Sequence, residues 1–132
     1  MTIPASITGR DVLASSITGS GKTAAFLLPL MQRVWKQNYG SHHSTYSKVL
    51  IILPTRELAI QCLDMFKNLN KYTKLSSCVI IGKVSVVEQE IELRRGPDFI
   101  IATPGRIIDL AKNSKDFTLD DIECLVFDEA DK

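Results

Sequence analysis

The chain has 132 residues, a net charge of +1, 45% hydrophobic and 23% charged residues, the balance of one ordinary globular domain. That near-neutrality excludes a broad basic field for nucleic acid, though backbone amides and helix N-termini can still hold phosphates locally. Cys62, Cys78 and Cys124 are odd in number, widely spaced and without a C-x-x-C pair, which fits buried thiols in a reducing, intracellular compartment better than a disulfide frame or a zinc site. No apolar run approaches the ~20 residues of a membrane span, because Ala24 to Met31 is interrupted by Pro29. The first ten residues carry neither the basic start nor the apolar core of a signal peptide.

In chain order, Asp11 to Ala14 reads as a weak first strand feeding a Gly-rich turn. A helix is predicted from Lys22 toward Gln37, weakened or ended by Pro29 and Asn38-Tyr39-Gly40. Gly40 to Ser47 is polar and predicts an exposed loop. Val49 to Leu53 is a continuous β-branched run, as expected of a strand buried on both faces. Pro54-Thr55 then opens a helix in which Leu58, Cys62, Met65 and Leu69 recur at core-facing spacing. Cys78 to Ile81 is a short strand closed by Gly82, and Val86 to Arg95 a helix ended by Gly96-Pro97. Phe99 to Ala102 is a third buried run, followed by Thr103-Pro104-Gly105 and a helix to about Asn113. Thr118 to Asp121 predicts a helical turn capped by Thr118, and Cys124 to Phe127 the last strand. Short strands alternating with helices predict an α/β fold, a parallel sheet flanked by helices. Every candidate motif follows a strand, where open parallel sheets bind ligands.

Two motifs carry chemistry. Thr18-Gly19-Ser20-Gly21-Lys22-Thr23 is a P-loop signature. Glycines let successive backbone amides close on a phosphate, and a helix begins immediately behind them. Lys22 reaches the β- and γ-phosphates in such a loop, and the Thr23 hydroxyl sits on Mg²⁺. The strict pattern G-x-x-x-x-G-K-[ST] asks for glycine where this chain has Ser16. At the far end, Asp128-Glu129-Ala130-Asp131 follows an apolar run. Asp128 is placed to hold Mg²⁺, partly through water, and Glu129 to orient or deprotonate an attacking water. The pair reads as a nucleotide triphosphatase site using ATP and Mg²⁺, with Lys22, Asp128 and Glu129 as catalytic residues.

The same residues resemble the DEAD-box family of ATP-dependent RNA helicases, whose name Asp128 to Asp131 spells. Thr18 to Thr23 is similar to motif I, Pro54-Thr55-Arg56-Glu57-Leu58-Ala59 to motif Ia, and Thr103-Pro104-Gly105-Arg106 to motif Ib, in the family's order and spacing. The resemblance implies a RecA-like P-loop domain over residues 1–132. It also implies that Pro54, Thr55, Arg56, Glu57, Gly82, Thr103, Pro104, Gly105 and Arg106 line a track for single-stranded RNA or one strand of a duplex. Lys83 stands second in the family's usual Gly-Gly pair, where its charge is available to a phosphate. The family's adenine-reading Q motif, its Ser-Ala-Thr motif and the second RecA-like domain are expected to lie outside these residues, that domain acting in cis. A near-inactive fragment of an active, monomeric helicase is therefore expected, with no membrane partner. Met1 to Asp11, Thr23 to Phe26 and Phe117 to Asp131 are similar to the nucleolar ribosome-assembly branch, which implies a nucleolar or nuclear location, with the cytoplasm as the alternative. A non-catalytic, nucleotide-binding scaffold fragment stays open as a second reading.

Three lesser features are read as structural. Lys67, Lys71 and Lys74 form a solvated stripe, His42 and His43 lack a ligand set, and Leu58, Cys62, Met65 and Leu69 are core.

Overall fold

The computed structural model describes residues 2–15, 17, 19, 21–40 and 48–132. The elements run α1 (Thr2–Ile7), α2 (Lys22–Gly40), β1 (Val49–Ile52), α3 (Arg56–Leu69), β2 (Ser77–Ile80), α4 (Val86–Arg94), β3 (Phe99–Ala102), α5 (Pro104–Asn113) and β4 (Cys124–Phe127), with a 3₁₀ turn at Asn70–Tyr72. The four strands form one parallel sheet in the order β2-β3-β1-β4.

Alternation along the strands divides the core into two layers. Val49, Ile51, Phe99 and Ile101 face one side, packed against Leu27, Met31 and Val34 of α2 and Ala59, Cys62 and Phe66 of α3. Leu50, Cys78, Ile80, Ile100 and Ala102 face the other, under Leu93 of α4 and Ile107 and Leu110 of α5. Helices on both faces explain why β1 and β3 read as unbroken apolar runs. Phe66 and Phe99 stack obliquely, their centroids 4.9 Å apart. At the edge strand β4 the alternation shows directly. Cys124 and Val126 turn toward α2 and α3, while Leu125 is 53% and Phe127 61% exposed.

The amino ends of three strands are tied by one residue. Asp98 accepts from Asn38 Nδ2 (3.0 Å), Ser76 N (2.9 Å) and Ser76 Oγ (3.0 Å), and its carbonyl accepts from Lys48 N (3.2 Å) and Val49 N (3.1 Å). This joins α2, β1, β2 and β3 at the edge away from the motifs.

Several expectations need correction. Asp11 to Ala14 belongs to no strand, and Leu13 there is fully exposed, since the described residues place no neighbour beside it. Helix α2 runs unbroken through Pro29 to Gly40. Leu27, Met31 and Val34, on both sides of the proline, are buried against the sheet, and that packing offsets a cost of about 3 kcal/mol. Met65 is 39% exposed; the buried face of α3 is Ala59, Cys62 and Phe66, with Leu58 and Leu69 half-buried beside it. Lys67 alone lies on α3, because the helix ends at Leu69 and Lys74 adopts φ 54°. At 119–121 the chain makes a turn, with Thr118 Oγ1 accepting from Asp120 N (3.2 Å). Helix α1, which packs on α2, was not anticipated. Residues 41–47, including His42 and His43, lie outside the described residues.

Candidate functional site

Register brings Ile80, Ala102, Ile52 and Phe127 to one edge of the sheet. The ladder extends one step further through Thr103 N to Ile80 O (3.0 Å), Leu53 N to Ala102 O (2.9 Å) and Asp128 N to Ile52 O (3.0 Å). The segments starting at Leu53, Ile81, Thr103 and Asp128 thus leave from a common line. At strand spacings of about 4.8 Å, four roots span roughly 14 Å.

Each segment has a local reason for its shape. Thr55 is extended (φ −128°, ψ 156°) and its Oγ1 accepts from Leu58 N at 3.2 Å, capping α3. Arg56 is half-buried, with an enclosed Nε that has no hydrogen-bond partner among the described residues, while Glu57 is exposed. Thr103 is buried and makes no capping bond; Pro104 starts α5, where its missing N–H costs nothing. Gly105 is exposed on the first turn of α5. Arg106 reaches back toward β2, its Nη1 donating to Val84 O (2.7 Å) and Gln89 Oε1 (3.4 Å). Gly82 is half-buried, and Lys83 beside it is exposed with φ 62°.

The acidic segment turns sharply after β4. Glu129 has φ 52°, and its N–H donates to Asp128 Oδ1 at 3.0 Å. Its Oε2 is paired with Lys132 Nζ at 2.6 Å. The charge of Asp128 is also felt in the core. Burial, with a further contribution from Asp128, pushes the Cys62 thiol up to about 12.

On the other motif, Gly19 and Gly21 have φ 82° and 83°, and a Cβ added to either meets nothing within 4 Å. Both glycines thus hold the left-handed backbone shape that side chains rarely adopt. The Gly21 carbonyl accepts from Ala25 N (3.0 Å), so α2 begins directly behind the loop. Lys22 and Thr23 are half-buried on its first turn, which contains no acidic residue to compete for an anion. Ser16, Thr18 and Ser20 lie outside the described residues. Among the described residues no three His, Cys, Asp or Glu side chains gather as a metal cluster.

A cavity of about 440 Å³ is lined by Ile3, Leu28, Trp35, Leu69 and Tyr72, among others. None of the strand-end residues borders it, so it is not part of this site. No helix among the described residues is long and apolar enough to cross a membrane.

These features meet a direct match. All of residues 1–132 fit the model of the DEAD/DEAH box helicase family. The chain belongs to that family. It is 51% identical over 132 residues to the ATP-dependent RNA helicase DRS1 of Mycosarcoma maydis, a match covering 99% of this chain and 14% of that protein. It is 47% identical over 131 residues to the drs1 helicase of Aspergillus oryzae, covering 99% of this chain and 16% of the relative. The chain therefore spans about one-sixth or less of the length of the relatives it matches. The crystal structure of a hypothetical ATP-dependent RNA helicase from Sulfolobus tokodaii superposes with a TM-score of 0.82 at 31% identity, over 98% of this chain and 35% of that one. The α/β fold is thus shared with the RecA-like domain of that protein.

Gln89 was missed by the sequence reading. It is 3% exposed and donates Nε2 to Ile81 O at 2.7 Å, beside the Arg106 contact. Its one signal is an amide four residues before buried Leu93, on the helix face that should be apolar.

Proposed function

We propose that this chain is the N-terminal ATP- and RNA-binding core of an ATP-dependent RNA helicase. The observation that carries this is the shared edge. Segments after β2, β3 and β1 supply adjacent RNA-facing roots, and the acidic segment after β4 stands next to them. Ligands of open parallel sheets bind at that edge.

In this reading the amides of Gly19 to Lys22 receive the phosphates, Lys22 Nζ pairs with the β- and γ-oxygens, and the Thr23 hydroxyl and Asp128 carboxylate hold Mg²⁺. The residues present fit that ion. A hydroxyl and a carboxylate are hard oxygen donors, and Mg²⁺ usually takes one or two carboxylates with phosphates and waters. An ion held there by Thr23 and Asp128 would supply neutralisation of the charge that develops on the phosphates. Glu129 orients the attacking water and accepts its proton at a carboxylate oxygen. Lys132 Nζ pairs with Oε2, which leaves Oε1 to take the water. Thr55 and Thr103, at the starts of α3 and α5, offer helix N-termini to backbone phosphates. Pro54, Arg56, Glu57, Gly82, Pro104, Gly105 and Arg106 line the same strand, and contacts to the 2′-hydroxyl select RNA.

The whole enzyme couples ATP hydrolysis to RNA unwinding or RNP remodelling. A second RecA-like domain in cis supplies the arginines that complete the ATP site, worth ~10³–10⁵ in rate in related phosphoryl-transfer enzymes. The 132-residue chain alone is expected to bind but barely turn over. The drs1-type relatives and the resemblance to the ribosome-assembly branch support a nucleolar role.

The test is binding of a fluorescent, non-hydrolysable ATP analogue with and without Mg²⁺, for the wild-type chain and Lys22→Ala. Mg²⁺-dependent binding lost in Lys22→Ala is the expected result. Equal binding by both proteins would remove the phosphate loop from the proposal, and RNA-stimulated turnover by the isolated chain would refute its expected inactivity.

A further inference from the structure

The turn after β2 is held from both sides by side chains of two different helices. Gln89 of α4 donates Nε2 to Ile81 O (2.7 Å), just before Gly82. Arg106 of α5 donates Nη1 to Val84 O (2.7 Å), just after Lys83. The two holders also touch each other, Arg106 Nη1 to Gln89 Oε1 at 3.4 Å. Between them Lys83 is exposed, with φ 62°, a left-handed shape that a lysine adopts only when its surroundings impose it. Gln89 is 3% exposed, and a buried amide with both ends satisfied fixes its neighbours instead of sampling alternatives.

We propose that Gln89 is a positioning residue for RNA, bracing with Arg106 the Gly82–Val84 turn so that Lys83 presents its ammonium to a backbone phosphate. This rests on the RNA reading given above and gives it a mechanism at the one position where the chain carries lysine in place of glycine. Arg106 then acts on RNA partly through the turn it holds. A residue that merely filled the space under α4 would leave Lys83 independent of it.

That difference is measurable in the 132-residue chain with fluorescein-labelled oligouridylate, followed by anisotropy between 50 and 200 mM salt. Loss of the brace is expected to weaken binding roughly fivefold to tenfold, the worth of one hydrogen bond. Loss of one phosphate contact lowers the magnitude of the salt slope by about 0.7 on a single strand. Gln89→Leu and Lys83→Gly should each show both changes. The double variant should bind within about twofold of Lys83→Gly. Additive losses, or an unchanged slope in Gln89→Leu, would overturn the proposal.

Hydrogen exchange supplies an arm that needs no RNA. The amides of residues 82–84 should exchange about fivefold to tenfold faster in Gln89→Leu and in Arg106→Met, with those of β2 unchanged. Unchanged exchange in the turn means that there is no brace. Should Gln89→Leu not fold, Arg106→Met, altered at a partly exposed side chain, gives the same answer. Faster exchange without any oligouridylate binding by wild type would instead refute the RNA reading and this role with it, while leaving the brace as a fact of the fold.

Discussion

Glycine substitutions separate backbone shape from space in the phosphate loop. Gly21 and Gly82 both have open room for a methyl group, with nothing within 4 Å of an added Cβ. They differ in backbone. Gly21 has φ 83°, and Gly82 lies outside the left-handed range. A clash therefore contributes to neither Gly→Ala change, and only conformation distinguishes them. Holding alanine left-handed costs about 1–2 kcal/mol, a factor of roughly 5 to 30 in an equilibrium constant. A loop that keeps its shape without ligand pays this in folding stability, whereas one that relaxes pays when nucleotide pulls it back. Urea unfolding and ATP-analogue titration on the same protein measure the two shares. Gly21→Ala should lose about 1–2 kcal/mol across the two together. Gly82→Ala should lose nothing in nucleotide affinity and gain about 0.4–1 kcal/mol in stability, from its less flexible unfolded chain. A Gly21→Ala protein that matches wild type in both assays, or a Gly82→Ala protein that loses as much, would show that backbone shape does not distinguish the two sites.

Removing the Asp98 carboxylate strips three acceptor contacts from the amino edge of the sheet. Asp98→Ala is expected to cost about 2–4 kcal/mol in urea unfolding, with ATP-analogue affinity unchanged in the folded protein; a cost below about 1 kcal/mol would contradict the tie described. Phe66→Ala empties the centre of the larger core layer and breaks the contact with Phe99, for about 3–5 kcal/mol, read from the same unfolding curves. Burial raises the Cys62 and Cys78 thiols from 9.0 to about 12, assisted by the charges of Asp128 and Glu92 respectively. The folded state thus keeps protons that the unfolded chain releases. The resulting stability is intact below pH 9 and declines as pH rises toward 12, by about 1.4 kcal/mol per pH unit for each thiol. Cys62→Ala should flatten the slope between pH 9 and 10.5 by that amount, and an unaltered slope would refute the assignment.

Elements whose signal is local were legible. Phe99–Ala102, Pro104–Asn113 and Cys124–Phe127 lie where apolar runs, Pro104 and the spacing put them. Elements whose fate depends on distant packing were not. Pro29 reads as a breaker because sequence shows its missing N–H and not the sheet beneath Leu27 and Met31. Asp11 to Ala14 reads as a strand because its composition allows one, yet pairing is decided by a neighbour. Helix α4 inverts the usual rule, exposing Val86, Val87 and Ile91 while burying Gln89. Periodicity assigns the apolar side inward, so the amide that organises the turn after β2 was invisible. The residues proposed to face RNA were named from ordered motifs, whose spacing follows strand and helix lengths.

The sheet order has a consequence for synthesis. Strand β1 lies between β3 and β4, and its Val49 is paired with Phe99 on one side and Cys124 on the other. The central strand is made first and both flanking partners long afterwards. At about 5–20 residues per second, Val49 to Ile52 waits on the order of 4 to 15 s after its own synthesis before the last flanking strand has been made. During that time Val-Leu-Ile-Ile is a short, uncharged, β-prone stretch of the kind that pairs with other chains. The sheet therefore closes around its central strand only after Phe127 has been made.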